Sequence, residues 1–334
     1  MQKQVTFSIV VPVYNEAEVL QSTYDRLKTV MDSTGDPYEL IFVNDGSSDD
    51  SIHTLKSLAQ SDQAVKCINF SRNFGHQIAI TAGTDYAAGE AIVVIDADLQ
   101  DPPELILEMA EKWRQGFDVV YAVRTKREGE TFFKKQTAAM FYRILRKLTD
   151  VDIPVDTGDF RLMDRKVVNE MNKLKEKNPF VRGLVSWLGF KQTAVYYERH
   201  ERLAGETKYP LKKMLKLSLD GITSFSFQPL KLASYSGIVL SAIGFIYAFI
   251  VVCMKLFTTS TITGWSSMII LQCLFSGFIL IILGAIGEYI GRIYDEVKDR
   301  PLYIIDGKYG FEEQRRARAP SAILCRKIQK EGFR

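Results

Sequence analysis

Val94-Ile95-Asp96-Ala97-Asp98-Leu99-Gln100-Asp101-Pro102-Pro103-Glu104 is the stretch around which the rest of the chain organises. An apolar run, Ala91 to Ile95, stops abruptly at acidic residues and two prolines. A short apolar run without polar alternation suits a strand buried on both faces of a parallel sheet. Phe7 to Val13, Leu40 to Val43 and Val119 to Val123 are runs of the same kind. Helical patterns separate them at about Ala17 to Ser33, Ser51 to Gln60, Gln77 to Ala88 and Pro103 to Gln115. Strand and helix alternating in this way predict a Rossmann-like α/β domain. In such sheets ligands gather at the carboxyl ends of the strands, so the residues closing each apolar run are the ones to weigh.

Asp96 and Asp98 lie two apart, which in extended chain puts both on one side. Paired carboxylates beside a diphosphate form a Mg2+ or Mn2+ site whose remaining hard oxygens come from the substrate. Capping of the following helix is the competing role, and Asp101, just before Pro102-Pro103, is better placed for it. Two other strand ends point the same way. Val11-Pro12-Val13-Tyr14-Asn15-Glu16 closes the first strand, and Phe42-Val43-Asn44-Asp45-Gly46-Ser47-Ser48-Asp49 closes the second. Tyr14 offers an aromatic face to a base, and Asp45 an acceptor for a uracil N3–H. Asn-Asp-Gly-Ser-Ser is also ordinary turn chemistry; its occurrence beside the acidic pair favours a nucleotide.

The 334 residues carry a formal net charge of +3, which gives no case for nucleic acid. Cys67, Cys253, Cys273 and Cys325 are scattered, with no spacing for zinc or a disulfide framework. Charge is distributed unevenly: none falls between Leu232 and Met254, and none between Leu256 and Gly287. Residues 234–257 would make a helix of roughly 36 Å at 1.5 Å per residue, enough to cross a bilayer core, and 265–291 a second. The connection, Thr258 to Gly264, is uncharged. Lys212, Lys213, Lys216 and Lys231 precede the pair, and Arg292, Lys298 and Arg300 follow it, so the positive-inside rule puts both flanks in the cytoplasm. Lysines alternating with apolar residues over 209–227 suit a helix lying in the membrane interface. Small residues at Gly284, Gly287 and Gly291 suit a close helix contact, within the hairpin or between subunits. No basic segment followed by an apolar one opens the chain, so no signal peptide is expected. The expected plan is a cytoplasmic domain over 1–208, an interfacial region over 209–230, two spans within 231–293, and a cytoplasmic segment over 294–334 with a loosely ordered tail. The expected location is a bacterial cell membrane, multi-pass, with both termini inside.

VPVYNE, VNDGSSDDS, SRNFGH and DADLQDPPE together resemble the inverting family 2 glycosyltransferases of the GT-A fold. Thr157-Gly158-Asp159-Phe160-Arg161, Arg202 to Lys208 (RLAGETK) and the two C-terminal spans narrow the resemblance to the polyprenyl-phosphate glycosyltransferases. Within these the chain is similar to the dolichol-phosphate mannose synthases, and most to the bacterial bactoprenol glucosyltransferases. The likeness covers about residues 5–310. It lacks the Gln-x-x-Arg-Trp motif of processive synthases. It implies that Pro12, Tyr14, Glu16 and Asp45 hold the nucleotide, that Asp96 and Asp98 hold the metal diphosphate, and that Gln100 lies near the donor. It also implies Asp159 as a base.

The chemistry sets a different demand. A polyprenyl phosphate is a phosphomonoester with a second pKa of about 6, so at neutral pH it is already a nucleophile. It needs cations to position it, for which Arg124, Lys134, Lys135, Arg161, Arg202 and Lys208 are candidates; an arginine fork suits phosphate well. Asp159 then orients a sugar hydroxyl or holds an arginine. His76 reads as part of a loop and helix start near the nucleotide, not as a base. The expected reaction is inverting transfer of glucose or GlcNAc from a UDP-sugar to undecaprenyl phosphate, for cell-envelope glycosylation, with a separate flippase acting on the product. The competing readings are a different membrane acceptor, whose neutral hydroxyl would need a base, and a non-catalytic membrane scaffold.

Overall fold

The computed structural model describes residues 5–126, 157–174, 176–177, 179–198, 228–257 and 264–311. Lys134, Lys135, Arg202, Lys208, the 209–227 segment, most of the 258–264 connection and the tail from 312 lie outside the described residues.

Eight strands form one sheet: β1 Phe7–Val13, β2 Tyr38–Asn44, β3 Val65–Phe70, β4 Ala91–Val94, β5 Val119–Lys126, β6 Thr157–Asp164, β7 Gln192–Glu198 and β8 Ile305–Tyr309. Their order is β7-β5-β6-β4-β1-β2-β3-β8. The four apolar runs form β1, β2, β4 and β5. The sheet is mixed where a parallel one was expected: β6 runs antiparallel to β4 and β5, and β8 antiparallel to β3. The inversion at β6 matters for function. An antiparallel strand begins where its parallel neighbours end, so Thr157 to Asp159 lie beside the carboxyl ends of β4 and β5.

Helices cover both faces. α1 (Ala17–Thr34), α2 (Ser51–Ser61) and α4 (Leu105–Arg114) bury one side against Ile9, Phe42, Val93, Phe160 and Leu162. α3 (His76–Tyr86), α5 (Arg165–Met171) and α6 (Val181–Trp187) cover the other against Val10, Ile41, Ile92 and Met163. Strand side chains alternate between faces, so Asp159 and Arg161 share the face of Met163. They meet α3 and α6 there. α3 comes close because Gly83 has no Cβ: one added would lie 2.2 Å from Val10 Cγ1.

Two long helices follow, α7 (Gln228–Phe257) and α8 (Trp265–Val297), and they pack against each other. Among the described residues one segment, Leu274–Val297 of α8, is long and apolar enough to cross a membrane. Its side chains, among them Leu280, Ile281 and Ile293, are exposed in the isolated chain. The segment after α8 returns to the first domain, where β8 adds an edge strand to β3. The sheet therefore takes its last strand from beyond the two long helices, outside the 1–208 expected for the first domain.

Candidate active site

The ends of β1 and β2 are laced together by their turn residues. Asn15, in the left-handed region at φ 53, accepts Ser48 N at 2.8 Å through its Oδ1 and donates its own amide to Ser47 Oγ at 3.0 Å. Asp49 accepts Ala17 N at 3.0 Å and Ser51 N at 3.1 Å. Pro12 is buried in β1, Glu16 is half-buried at the start of α1, and Tyr14 is 42% exposed.

Asp45 already has two partners. Its buried carboxylate accepts Phe74 N at 2.6 Å and Gly75 N at 2.9 Å, clamping the Ser71–Gly75 loop onto the end of β2. Burial raises its pKa, and the two amide bonds oppose the rise. Gly46 completes the clamp with φ +65; a Cβ there would lie 2.4 Å from Arg72 C and 2.5 Å from Asn73 N. Any uracil contact by Asp45 uses lone pairs the loop leaves over.

β4 ends at Val94, and a turn with Leu99 at φ 56 presents the acids. Asp98 accepts Gln100 N at 3.1 Å. Asp96 Oδ1 is buried without a hydrogen-bond partner among the described residues. Burial pushes the Asp96 pKa up to about 6; Asp101, Asp159 and Asp98 add to the rise and His76 opposes it. Asp101 does not cap α4, whose N-cap is Glu104 without a side-chain bond. Asp101 instead accepts the Tyr197 hydroxyl and lies 3.5 Å from Arg124 Nη2, while Arg124 Nε donates to Tyr197 at 3.0 Å. Arg124 is thus committed to tying β5, β7 and the 98–101 turn together.

Asp159 is 5% exposed and fully enclosed by donors. Arg182 grips it with both arms, Nε to Oδ1 at 2.8 Å and Nη2 to Oδ2 at 3.1 Å. Gln77 Nε2 donates at 3.0 Å and His76 Nε2 lies 3.2 Å away. Burial opposes the charge, yet Arg182 and His76 hold the carboxyl well below the usual range. His76 also lies 3.5 Å from Asp96 Oδ1, so it bridges the two acids. Burial would lower the imidazole, but its Asp159 bond and the charges of Asp96 and Asp159 raise it to about 9, leaving it protonated at neutral pH. A carboxylate so stabilised is a poor proton acceptor. Asp159, at the start of β6, thus holds an arginine, Arg182.

Arg161 is corrected in kind. It is 4% exposed, and its guanidinium donates to the carbonyls of Gly158 at 3.1 Å and Asp159 at 3.4 Å. Burial lowers its pKa to about 10. It braces the start of β6 from beneath and is not open to a lipid phosphate. Arg182 and Gln77 were missed by the sequence reading, and His76 was set aside. Arg182 sits in Asn178-Pro179-Phe180-Val181-Arg182, which carries no local sign of a site. Only the alternation of β6 toward α6 brings it in.

The family model for glycosyl transferase family 2 matches residues 8–171. YkcC of Bacillus subtilis (strain 168), an uncharacterized glycosyltransferase, is 73% identical over 315 residues, covering 94% of this chain and 98% of that protein. An uncharacterized glycosyltransferase of Synechocystis sp. is 46% identical over 308 residues, covering 92% and 97%. The prophage bactoprenol glucosyl transferase homolog of Escherichia coli (strain K12) is 41% identical over 298 residues, covering 89% and 97%.

Proposed function

The chain belongs to glycosyl transferase family 2, and from that premise we propose that it moves a hexose, glucose or GlcNAc, from a UDP-sugar to a polyprenyl phosphate with inversion at the anomeric carbon. The observation that carries the reading is the Asp159 cage beside the acidic turn, where the carboxylate expected as a base is held ionised by Arg182, Gln77 and His76. It suits an acceptor that needs no deprotonation. The relative named a bactoprenol glucosyl transferase homolog supports that acceptor, and the apolar segment Leu274–Val297 supports a membrane location. A second span in α7, cytoplasmic placement of the catalytic domain and both termini, an interfacial 209–227 helix and a separate flippase belong to the same proposal.

The residues fit a divalent cation. Asp96 Oδ1 is a buried oxygen that makes no hydrogen bond and has His76 Nε2 at 3.5 Å, Asp98 follows two residues on, and hard oxygens suit Mg2+ or Mn2+. Among the described residues no cluster of three or more ligating side chains forms, which leaves the rest of a coordination shell to donor oxygens and water. When bound, the cation supplies Lewis-acid stabilisation to the departing diphosphate. Tyr14 stacks on the base. A phosphate oxygen of the acceptor forms the new bond to the anomeric carbon from the face opposite the nucleotide. The bond from that carbon to the diphosphate oxygen breaks, and its electron pair leaves with UDP. The acceptor is a dianion above pH about 6, so no proton has to move. Asp159, ionised throughout, keeps His76, Gln77 and Arg182 in place around the reacting centre. Arg124 holds the acidic turn.

The test is direct. Purified full-length protein with Mg2+, UDP-glucose or UDP-GlcNAc, and undecaprenyl phosphate is expected to yield a lipid-linked sugar. Donor binding without lipid product, for every sugar tried, would sink the reading. An acceptor with a neutral hydroxyl predicts complete dependence on a base, and the enclosed Asp159 disfavours it.

A further inference from the structure

The cage around Asp159 is built from two segments that are not held by the sheet alone. One is the Ser71–Gly75 loop with the start of α3, carrying His76 and Gln77. The other is the lead into α6 and its first turn, which carries Arg182. Gln77 joins them: its Nε2 donates to Asp159 at 3.0 Å, and its Oε1 accepts Val181 N at 3.1 Å. Both segments are fastened on their outer side to the same piece of chain, the end of α8 and the residues that follow it.

On the loop side, Tyr303 stacks on Phe70 at 5.2 Å between centroids and 18° between planes. Phe70 in turn meets Phe74 edge-on at 5.6 Å, and Phe74 is a residue whose amide Asp45 holds. Ser71 N donates to Ile304 O at 3.0 Å. The Tyr303 hydroxyl donates to Asp85 at 2.8 Å, in the last turn of α3. One side chain thus grips the loop feeding α3 and the far end of α3 itself. On the other side, Lys177 N donates to Glu296 Oε1 at 2.9 Å, and Lys177 Nζ to Arg300 O at 2.7 Å and Asp299 Oδ1 at 3.3 Å. Asp299 is 90% exposed, so that ion pair contributes little; the carbonyl and the amide bond carry this side. The chain reaches both positions because α8, ending at Val297, is followed by a left-handed turn at Asp299, φ 46, and then by Pro301.

We propose that the end of α8 and the strap to β8 are a brace for the active site, with Tyr303 and Lys177 as positioning residues. Neither touches the reacting groups. They hold the two walls of the Asp159 cage at the separation at which Gln77 spans them. The inference rests on the proposed reaction only for its kinetic arm. The helix that carries the apolar segment is then part of the catalytic architecture, and the strap ties its end to the donor loop.

The experiment uses full-length protein in lipid nanodiscs: wild type, Tyr303→Ala, Tyr303→Phe, Lys177→Ala and Lys177→Arg. Hydrogen exchange is read at Phe74, Gly75 and Val181, with β1 and β2 as internal reference, and turnover is read with UDP-glucose and undecaprenyl phosphate. Tyr303→Ala is expected to raise exchange at Phe74 and Gly75 about tenfold while β1 and β2 keep their protection, as local opening does. It is expected to raise donor KM and lower kcat while acceptor KM holds. Tyr303→Phe keeps the stack and is expected to stay near wild type. Lys177→Ala is expected to loosen Val181, and Lys177→Arg to restore it. Unchanged exchange at Phe74 and Gly75 in Tyr303→Ala overturns the proposal. So does a uniform rise across the sheet, which would make Tyr303 a fold residue only. If wild type forms no lipid-linked sugar, the reaction reading fails, and the exchange arm still decides the brace.

Discussion

Replacing Asp159 by Asn tests whether this residue holds a cage or accepts a proton. The change keeps the shape and removes the charge. Arg182 loses its bidentate acceptor at 2.8 and 3.1 Å, and a buried amide nitrogen then faces a guanidinium. Breaking a buried ion pair from one side costs roughly 3–5 kcal/mol. The Arg182 side chain is 23% exposed, so solvent screening favours the lower end. About 3 kcal/mol, if felt fully in the transition state, is about a hundredfold in kcat. Turnover is measured from pH 5 to 8, with thermal unfolding in parallel to confirm folding. Activity is expected to fall by about that factor. The acid limb near pH 6 is expected to remain, because it belongs to the acceptor phosphate. The double variant Asp159→Asn/Arg182→Gln, which removes both charges, is expected to be no worse than Asp159→Asn alone, since contacting partners are not additive. Loss of all measurable product in Asp159→Asn with near-normal activity in Arg182→Gln would refute the cage and restore the base.

Gly46→Ala adds a left-handed alanine and a Cβ 2.4 Å from the Arg72 backbone; roughly 2–4 kcal/mol of strain is expected from conformation and overpacking together, read as weaker UDP binding by calorimetry. Chelation is expected to abolish transfer, Mg2+ or Mn2+ to restore it, and Asp98→Ala to leave protein that folds but needs far more metal; full activity after exhaustive chelation would remove the cation from the scheme. Asp62 tests pH-linked stability away from the site. Burial raises its pKa, but Ala64 N, Lys28 and Tyr24 outweigh this and leave it lowered. A carboxyl with a depressed folded pKa contributes stability above its unfolded value, 3.8, and loses it as pH falls below that value. Asp62→Asn is therefore expected to flatten the acid side of a thermal-unfolding profile while lowering the neutral plateau.

The sequence by itself determined the α/β class, strands β1, β2, β4 and β5 with the helices near them, and the acidic turn at the end of β4, but not β3. These are local properties: apolar runs, helical periodicity and punctuation by Pro, Gly and Asp. It placed Tyr14, Asp45, Asp96 and Asp98 at strand ends, because a parallel strand must deliver its last residues to the same edge as its neighbours; Asp159 came only from the resemblance. Three things only the tertiary structure decided. The reversal of β6 sets which face Asp159 takes. The approach of α6, from more than twenty residues downstream, brings Arg182 to Asp159. The return of β8 across the whole chain makes the end of α8 a neighbour of the donor loop. Each depends on contacts between segments far apart in sequence, and no local pattern encodes a contact whose partner lies elsewhere. Arg161 shows the same limit from the other side: its charge suggested a phosphate, and only its burial beneath Gly158 and Asp159 shows that it supports the strand.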